Sequence, residues 1–330
     1  MKLLPLFLSM IFLCVLQKLL GVEGRIRKGI IEDDDLELER QLKIINKPTN
    51  VTVKTNTGDV YACIDIHQQP ALDHPMLKNH KVKERPTSFS KIDFEKEPST
   101  NRYKHAILER VNCPEGTVPI KRVGKEELRA AKYFSELSRS RLNEIRPQTP
   151  EFPGLLQALS KLSNGIYRGA GARISVEKLE VAMHHFSAAH VCVSDDPKGY
   201  RNALWAGWME DGGNWLLIMQ NETVGYWPKG LVQSLDDGAS HLLWGGLTFG
   251  LTNEQPAPMG NGLYPSPDLY YTSAFLAHMN IVDQKGAVIK APTNQLESVL
   301  DCRESYGLYI VDENESSTLY GGEAEADCTS

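Results

Sequence analysis

Beyond the N-terminal run from Leu3 to Leu16, this sequence has no apolar stretch approaching the roughly 20 residues that cross a bilayer. Once that run is removed, no membrane span is left. Cysteine is sparse, six in 330 residues, and none falls in a Cys-x-x-Cys or Cys/His arrangement of the zinc type. His67, His74 and His80 sit in a proline-containing stretch instead, so neither a metal nor another cofactor is expected. Positive charge is not in excess. The 36 Lys and Arg stand against 42 Asp and Glu, a formal charge of -6, which leaves no basic field to attract nucleic acid. No internal repeat or low-complexity tract occurs.

What is present begins with a secretory layout: Met1-Lys2, the apolar run, then Gln17-Lys18 and a stretch ending at Gly24. The run is too short for a span, and Val22 and Gly24 suit a signal peptidase. Residues 1–24 are therefore expected to be cleaved, leaving an extracellular or cell-wall protein. Cys14 goes with them, and Cys63, Cys113, Cys192, Cys302 and Cys328 remain. An odd number leaves one thiol over. Three sequons, at Asn50, Asn221 and Asn314, fit a secreted glycoprotein.

Residues 33 to 45 open with three aspartates and continue with Leu36, Leu38, Leu42 and Ile44-Ile45, the pattern of a short amphipathic helix. Val51 to Thr55 and Val60 to Ile66 alternate around Asn56-Thr57-Gly58-Asp59, which predicts a hairpin. A proline-rich extended stretch runs from Gln68 to Pro98. Residues 125 to 146 have helical spacing and end at Pro147 and Pro150, so a linker is expected from there to about Gly171. Beyond Ala172 the texture is short β-type runs punctuated by Gly, Pro, Asn and Asp. They are Ala188 to Val193, Trp215 to Met219, Thr223 to Trp227, His241 to Trp244, Leu263 to Leu276, Gly286 to Ile289 and Tyr306 to Val311. Such runs argue an all-β sandwich or barrel. Val176 to Phe186 is open between helix and strand.

Two strings in the first half carry a resemblance. Tyr61-Ala62-Cys63-Ile64-Asp65-Ile66-His67-Gln68-Gln69-Pro70, continuing to His80, and Asn112-Cys113-Pro114-Glu115-Gly116-Thr117-Val118-Pro119 resemble the activation domain that precedes the neprosin domain in plant proteins. Collinear matches follow at Asn202-Ala203-Leu204-Trp205-Ala206-Gly207-Trp208, Gly213-Asn214-Trp215, Gly225-Tyr226-Trp227-Pro228, Trp244-Gly245-Gly246 and Tyr320-Gly321-Gly322. The resemblance implies a mainly β chain, an antiparallel β-sandwich preceded by a small α+β prodomain. It divides the chain into signal peptide (1–24), activation-type prodomain (25–128), helical segment and linker (129–165) and a shortened neprosin-like domain (166–330). It also implies disulfides Cys63–Cys113 and Cys302–Cys328, with Cys192 left as an inward-facing, buried thiol.

Family chemistry is that of a glutamic endopeptidase cleaving beside proline in acid, which needs two carboxyls around one attacking water. Here the first position is Trp205 and the second, directly after Trp-Gly-Gly, is Leu247. Neither side chain can take a proton from water. Glu210 is five residues past Trp205, which along one strand puts it on the opposite face about 17 Å further on at about 3.4 Å per residue, Glu222 lies in a sequon, and Asp236-Asp237-Gly238 reads as a turn, so none is an obvious substitute. Only Met209 to Gly212 separate the Ala-Gly-Trp and Gly-Asn-Trp segments, where relatives carry several more strands. A skipped exon in the gene model would explain this gap but not Trp205 or Leu247, which lie outside it. The missing strands put closure of the sandwich in question. The expectation is a non-catalytic binding protein for a proline-rich or cell-wall partner, the alternative being an acid endopeptidase with non-standard carboxylates. Trp215, Tyr226, Trp227 and Trp244 are candidates for a ligand groove, with sandwich core as the competing reading for at least half of them.

Overall fold

The alternating runs around Gly58 close the hairpin that their spacing requires, because glycine alone takes the positive φ (93°) of that turn without strain. A computed structural model describes residues 31–56, 58–83, 111–129, 131–132, 155–182, 185–195, 203–205, 208–211, 214–219, 222–250, 255–269, 272–311 and 316–324. The chain divides into two units, one of Met1–Pro86 with Pro98–Arg146 and one of Thr87–Glu97 with Pro147–Ser330.

In the first unit, helix α1 (Ile31–Ile45) precedes strands β1 (Thr52–Lys54), β2 (Val60–Asp65) and β3 (Thr117–Lys121), which form an antiparallel sheet in that order. The helix buries Leu38 and Ile45 against Leu128 of a second helical turn at 125–129. Asn46 stitches the two, its amide donating to the Val123 carbonyl and accepting from the Val123 N–H, both at 2.9 Å. The Cys63–Cys113 disulfide forms as expected, with Cα atoms 5.5 Å apart. Closing a loop of 50 residues stabilises by about 4 kcal/mol in the chain-entropy account.

Among the described residues the second unit holds thirteen strands. The smaller sheet has the order β14-β4-β11-β6-β7, built from β4 (Leu155–Leu162), β6 (Phe186–Ser194), β7 (Ala203–Trp205), β11 (His241–Phe249) and β14 (Glu297–Leu300). The larger runs β10-β9-β8-β5-β12-β16-β15, with β13 paired to β12. Its strands are β5 (Gly169–Ile174), β8 (Trp208–Asp211), β9 (Asn214–Met219), β10 (Glu222–Trp227), β12 (Ala274–Val282), β13 (Val288–Lys290), β15 (Gly307–Val311) and β16 (Ser317–Gly321). Every pairing between them is antiparallel.

One apolar cluster joins the two sheets. Ala158, Leu162, Val191, Val193, Leu242 and Trp244 of the smaller meet Ala170, Trp215, Leu217, Leu276, Met279, Ile281 and Tyr320 of the larger. A buried hydroxyl pair, Ser160 and Thr318 at 2.6 Å, bridges β4 to β16 within it, so neither hydroxyl is buried without a partner. The two sheets of the sandwich therefore close on each other. Mainly β architecture with a small α+β unit before it is what the residues called for.

Several expectations need correction. Residues 155–162, read as linker, are a central strand, because Leu155, Ala158, Leu159 and Leu162 are buried and β4 is paired on both sides. The strand expected from Leu263 begins only at Ala274, after a loop with a 3-10 turn at Pro267–Leu269. Residues 175–182 form neither helix nor strand. Trp205 and Glu210 do not share a strand: the chain leaves the smaller sheet after Trp205 and enters the larger at Trp208. Residues 1–24, Cys328, Asn221 and Asn314 lie outside the described residues, as does the end of the helix expected over 125–146. Among the described residues no helix is long and apolar enough to cross a membrane.

Trp244 is fully buried between the sheets, whereas Tyr309 is 38% exposed on β15. Denaturant unfolding should show Trp244→Ala losing about 3–5 kcal/mol and Tyr309→Ala under about 1 kcal/mol. Equal losses would show that the inter-sheet cluster is not the dominant core.

Candidate functional site

In an antiparallel sheet, residues directly opposite each other project to the same face, so register alone maps the face that carries positions 205 and 247. Trp205, Cys192, Leu243, Lys161 and Glu297 make one row across β7, β6, β11, β4 and β14. His190, Gly245, Leu159 and Val299 make the next. Ala188, Leu247 and Gln157 make the third, with Asp301 just beyond β14. Phe186, Phe249 and Leu155 make the fourth, the two phenyl rings stacked at 5.7 Å. The inter-sheet cluster draws on the intervening residues, such as Leu242 and Trp244, so these rows belong to the opposite face of the smaller sheet.

The middle of that face is buried, while its β14 end carries the exposed Glu297. Leu159 (0%), Cys192 (1%), Leu243 (1%), Leu247 (1%) and His190 (2%) all lie below the surface. Cys192 is a buried thiol in no disulfide, but it does not face the inter-sheet core as expected; it packs with Leu159 and Leu243. Cys302 is disulfide-bonded, while its expected partner is outside the described residues. Burial holds the His190 imidazole down at about 4.

Positions 205 and 247 share this face without being neighbours. They are two strands and four residues apart, about 17 Å at about 4.8 Å per strand and about 3.4 Å per residue. Two extended glutamate side chains, each reaching about 5 Å, would still leave their carboxyls beyond the reach of one shared water, which sits about 2.8 Å from each partner. The described polar groups closest in register to Leu247 are Gln157 and Asp301. The Asp301 carboxylate accepts the Gln157 N–H at 3.0 Å, and the Asp301 N–H donates to the Gln157 carbonyl at 2.8 Å. Sequence reasoning passed over both, although Gln157 stands out within the run Leu155 to Leu159.

The Trp-Gly-Gly motif has a packing explanation. A Cβ at Gly245, whose φ is +153°, would lie 2.1 Å from the Ala158 carbonyl oxygen. One at Gly246 would lie 2.4 Å from the Tyr320 ring. Both positions need glycine whether or not an acid follows them.

The candidate groove aromatics separate. Trp215 and Trp244 are core residues with 0% exposure, their indole N–H groups donating to the carbonyls of Leu235 and Gly171, each at 3.3 Å. They cannot line a groove. Tyr226 and Trp227 are half-buried on β10, at the edge of the larger sheet, where Trp227 packs against the core. Glu210 pairs in register with Trp215 and Glu222 with Met219, both in the larger sheet, so neither shares a sheet with positions 205 and 247. Asp236 and Asp237 form the expected turn ahead of Gly238.

Comparison with known families agrees with this layout. The family model described as neprosin activation peptide matches residues 52–161, and that described as neprosin matches residues 187–323. The chain, an activation-type region followed by a β-sandwich with the two models in the family's order, belongs to the neprosin family.

Proposed function

We propose that this chain is a secreted, catalytically silent neprosin-like protein that acts by binding. The observation carrying this reading is the state of positions 205 and 247, a tryptophan and a sealed leucine about 17 Å apart by register. The family's chemistry needs two carboxyls on one water. A proline-rich protein or a cell-wall surface is the partner class, and half-buried Tyr226 on the edge strand β10 is the contact, because flat aromatic rings stack on proline and sugar rings alike. A second reading, an acid endopeptidase with a non-standard carboxylate, is favoured only by Asp301 beside Gln157 on the Leu247 row.

Purified protein incubated in acid with a proline-containing peptide should leave it intact, and Trp205→Glu with Leu247→Glu should restore nothing. Cleavage by the wild type that disappears in Asp301→Asn would overturn the silent reading in favour of the second. Robust cleavage by the double variant would show that the two positions approach far more closely than their register allows.

His190 bears on the working pH. Its folded value near 4 lies below the ordinary 6.5, so the unfolded chain binds the proton first. The sandwich is fully stabilised above about pH 6.5 and weakens as pH falls toward 4, by about 3 kcal/mol at the limit. An acid-labile sandwich suits a binder at mild pH better than an acid protease. Melting temperatures measured from pH 7 to 4 should fall in the wild type and fall less in His190→Leu. Parallel curves would show that His190 does not set the acid sensitivity.

The activation region is proposed to stay attached. The activation-peptide match runs to residue 161 and so includes nearly all of β4, which pairs with β11 over eight residues. Cutting after 161 would strip that partner from β11 and leave its backbone groups unpaired. Held in acid with protease inhibitors, the protein should run as one band, and an added protease should give a stable fragment starting before Leu155. A stable fragment starting after Leu162 would refute this.

A further inference from the structure

We infer that Asn50 carries an N-linked glycan that caps the open edge of β1. The inference rests on the secretory reading above, and adds which sequon is used and what the sugar does. Asn50 sits at an exposed bend immediately before β1, and Thr52, the hydroxyl residue of its sequon, is exposed as well. The residues around them are committed. Thr49 Oγ1 donates to the Cys63 carbonyl at 2.7 Å and accepts the Val51 N–H at 3.2 Å, while the Cys63 N–H donates to the Val51 carbonyl at 2.9 Å. Among the described residues no hydrogen bond engages the Asn50 amide or the Thr52 hydroxyl. A fixed backbone thus presents two uncommitted side chains of one sequon to solvent.

The sequon at Asn314 contrasts with this. Ser316 is fully buried and its hydroxyl donates to the Ala291 carbonyl, so the folded chain withholds the group that the sequon requires. The Cys63–Cys113 disulfide beside β1 is an independent sign of an oxidising compartment, where N-glycosylation takes place. In the transfer itself, Asn50 Nδ2 attacks the anomeric carbon of a lipid-linked oligosaccharide. The C–N bond forms as the bond to the lipid pyrophosphate breaks, and the amide gives up one proton.

The physical consequence lies at the sheet edge. β1 is the outer strand of the β1-β2-β3 sheet, three residues long, with Thr52 and Lys54 exposed. Its outer backbone groups are a template for a strand from another chain. A hydrated sugar two residues upstream of Thr52 occupies the approach that such a strand would take.

The test is expression in a eukaryotic secretory host, followed by peptide mapping and light scattering of the secreted protein. The peptide spanning Asn50 should carry glycan, and Asn50→Gln and Thr52→Val should each lose one glycan. Both variants should self-associate at a concentration where the wild type is monodisperse, and Thr52→Val keeps Asn50 so that loss of the amide is not the cause. A secreted wild type with Asn50 unmodified overturns this inference and leaves the secretory reading standing. Failure to enter the secretory pathway overturns both. Folded variants that lack the glycan yet stay monodisperse overturn the edge-capping role.

Discussion

The sandwich depends on β11 being buried on both of its faces. A strand with period two can meet that condition only if both of its residue sets are apolar or small, as His241–Phe249 almost entirely is. One set, Leu242 and Trp244, enters the cluster between the sheets. The other holds Leu243, which packs with Leu159 and Cys192, and Leu247, which is also buried. β4 and β6 flank it over eight and nine residue pairs, so every element of the smaller sheet is placed by reference to this strand. A carboxylate at 247 would set a charge into the buried middle of that face, where an unpaired ion is strongly disfavoured. Leucine there fits a strand selected for packing.

The same constraint separates what the family motif does for folding from what it does for chemistry. Gly245 and Gly246 are required by the Ala158 carbonyl and the Tyr320 ring, and Trp244 by the core. Packing therefore requires the two glycines of Trp-Gly-Gly whatever residue follows them. Motif survival in this chain is evidence about the sheet and says little about catalysis.

Much of the architecture was legible because it rests on local pattern. The α1 periodicity, the Gly58 turn and the short β-type runs of β6, β9 and β15 each follow from neighbours in sequence. β4 escaped because the prolines before it resemble a linker, and a strand buried on both faces does not alternate. Glu210 was misplaced because two residues, Ala206 and Gly207, separate a strand of one sheet from a strand of the other, and sequence spacing carries no record of a change of sheet. The two candidate positions came from the motif, and their geometry was hidden from it. Trp205 and Leu247 could be named from the motif, but their separation follows from a register set by long-range pairing. His190 and Cys192 show the intermediate case, since an i, i+2 pair on a strand shares a face, though which face required the partner strands.

The two units also differ in what acid does to each. In the first, Lys125 and then Arg129 lower the Asp35 carboxyl, and Arg40 with Gln41 brings Glu37 down to about 2, so these groups keep their charge in moderate acid. Such exposed pairs contribute little to stability, but the Cys63–Cys113 bond constrains the unit independently of pH. In the second, burial lowers the His190 imidazole to about 4, so its protonation opposes the fold; His80 of the first unit is lowered by burial as well. A prodomain that leaves in acid to expose a working cleft needs one order, a sandwich that endures while the unit preceding it gives way. Among the described residues the most strongly lowered imidazole lies in the sandwich, which is the part that this order requires to endure.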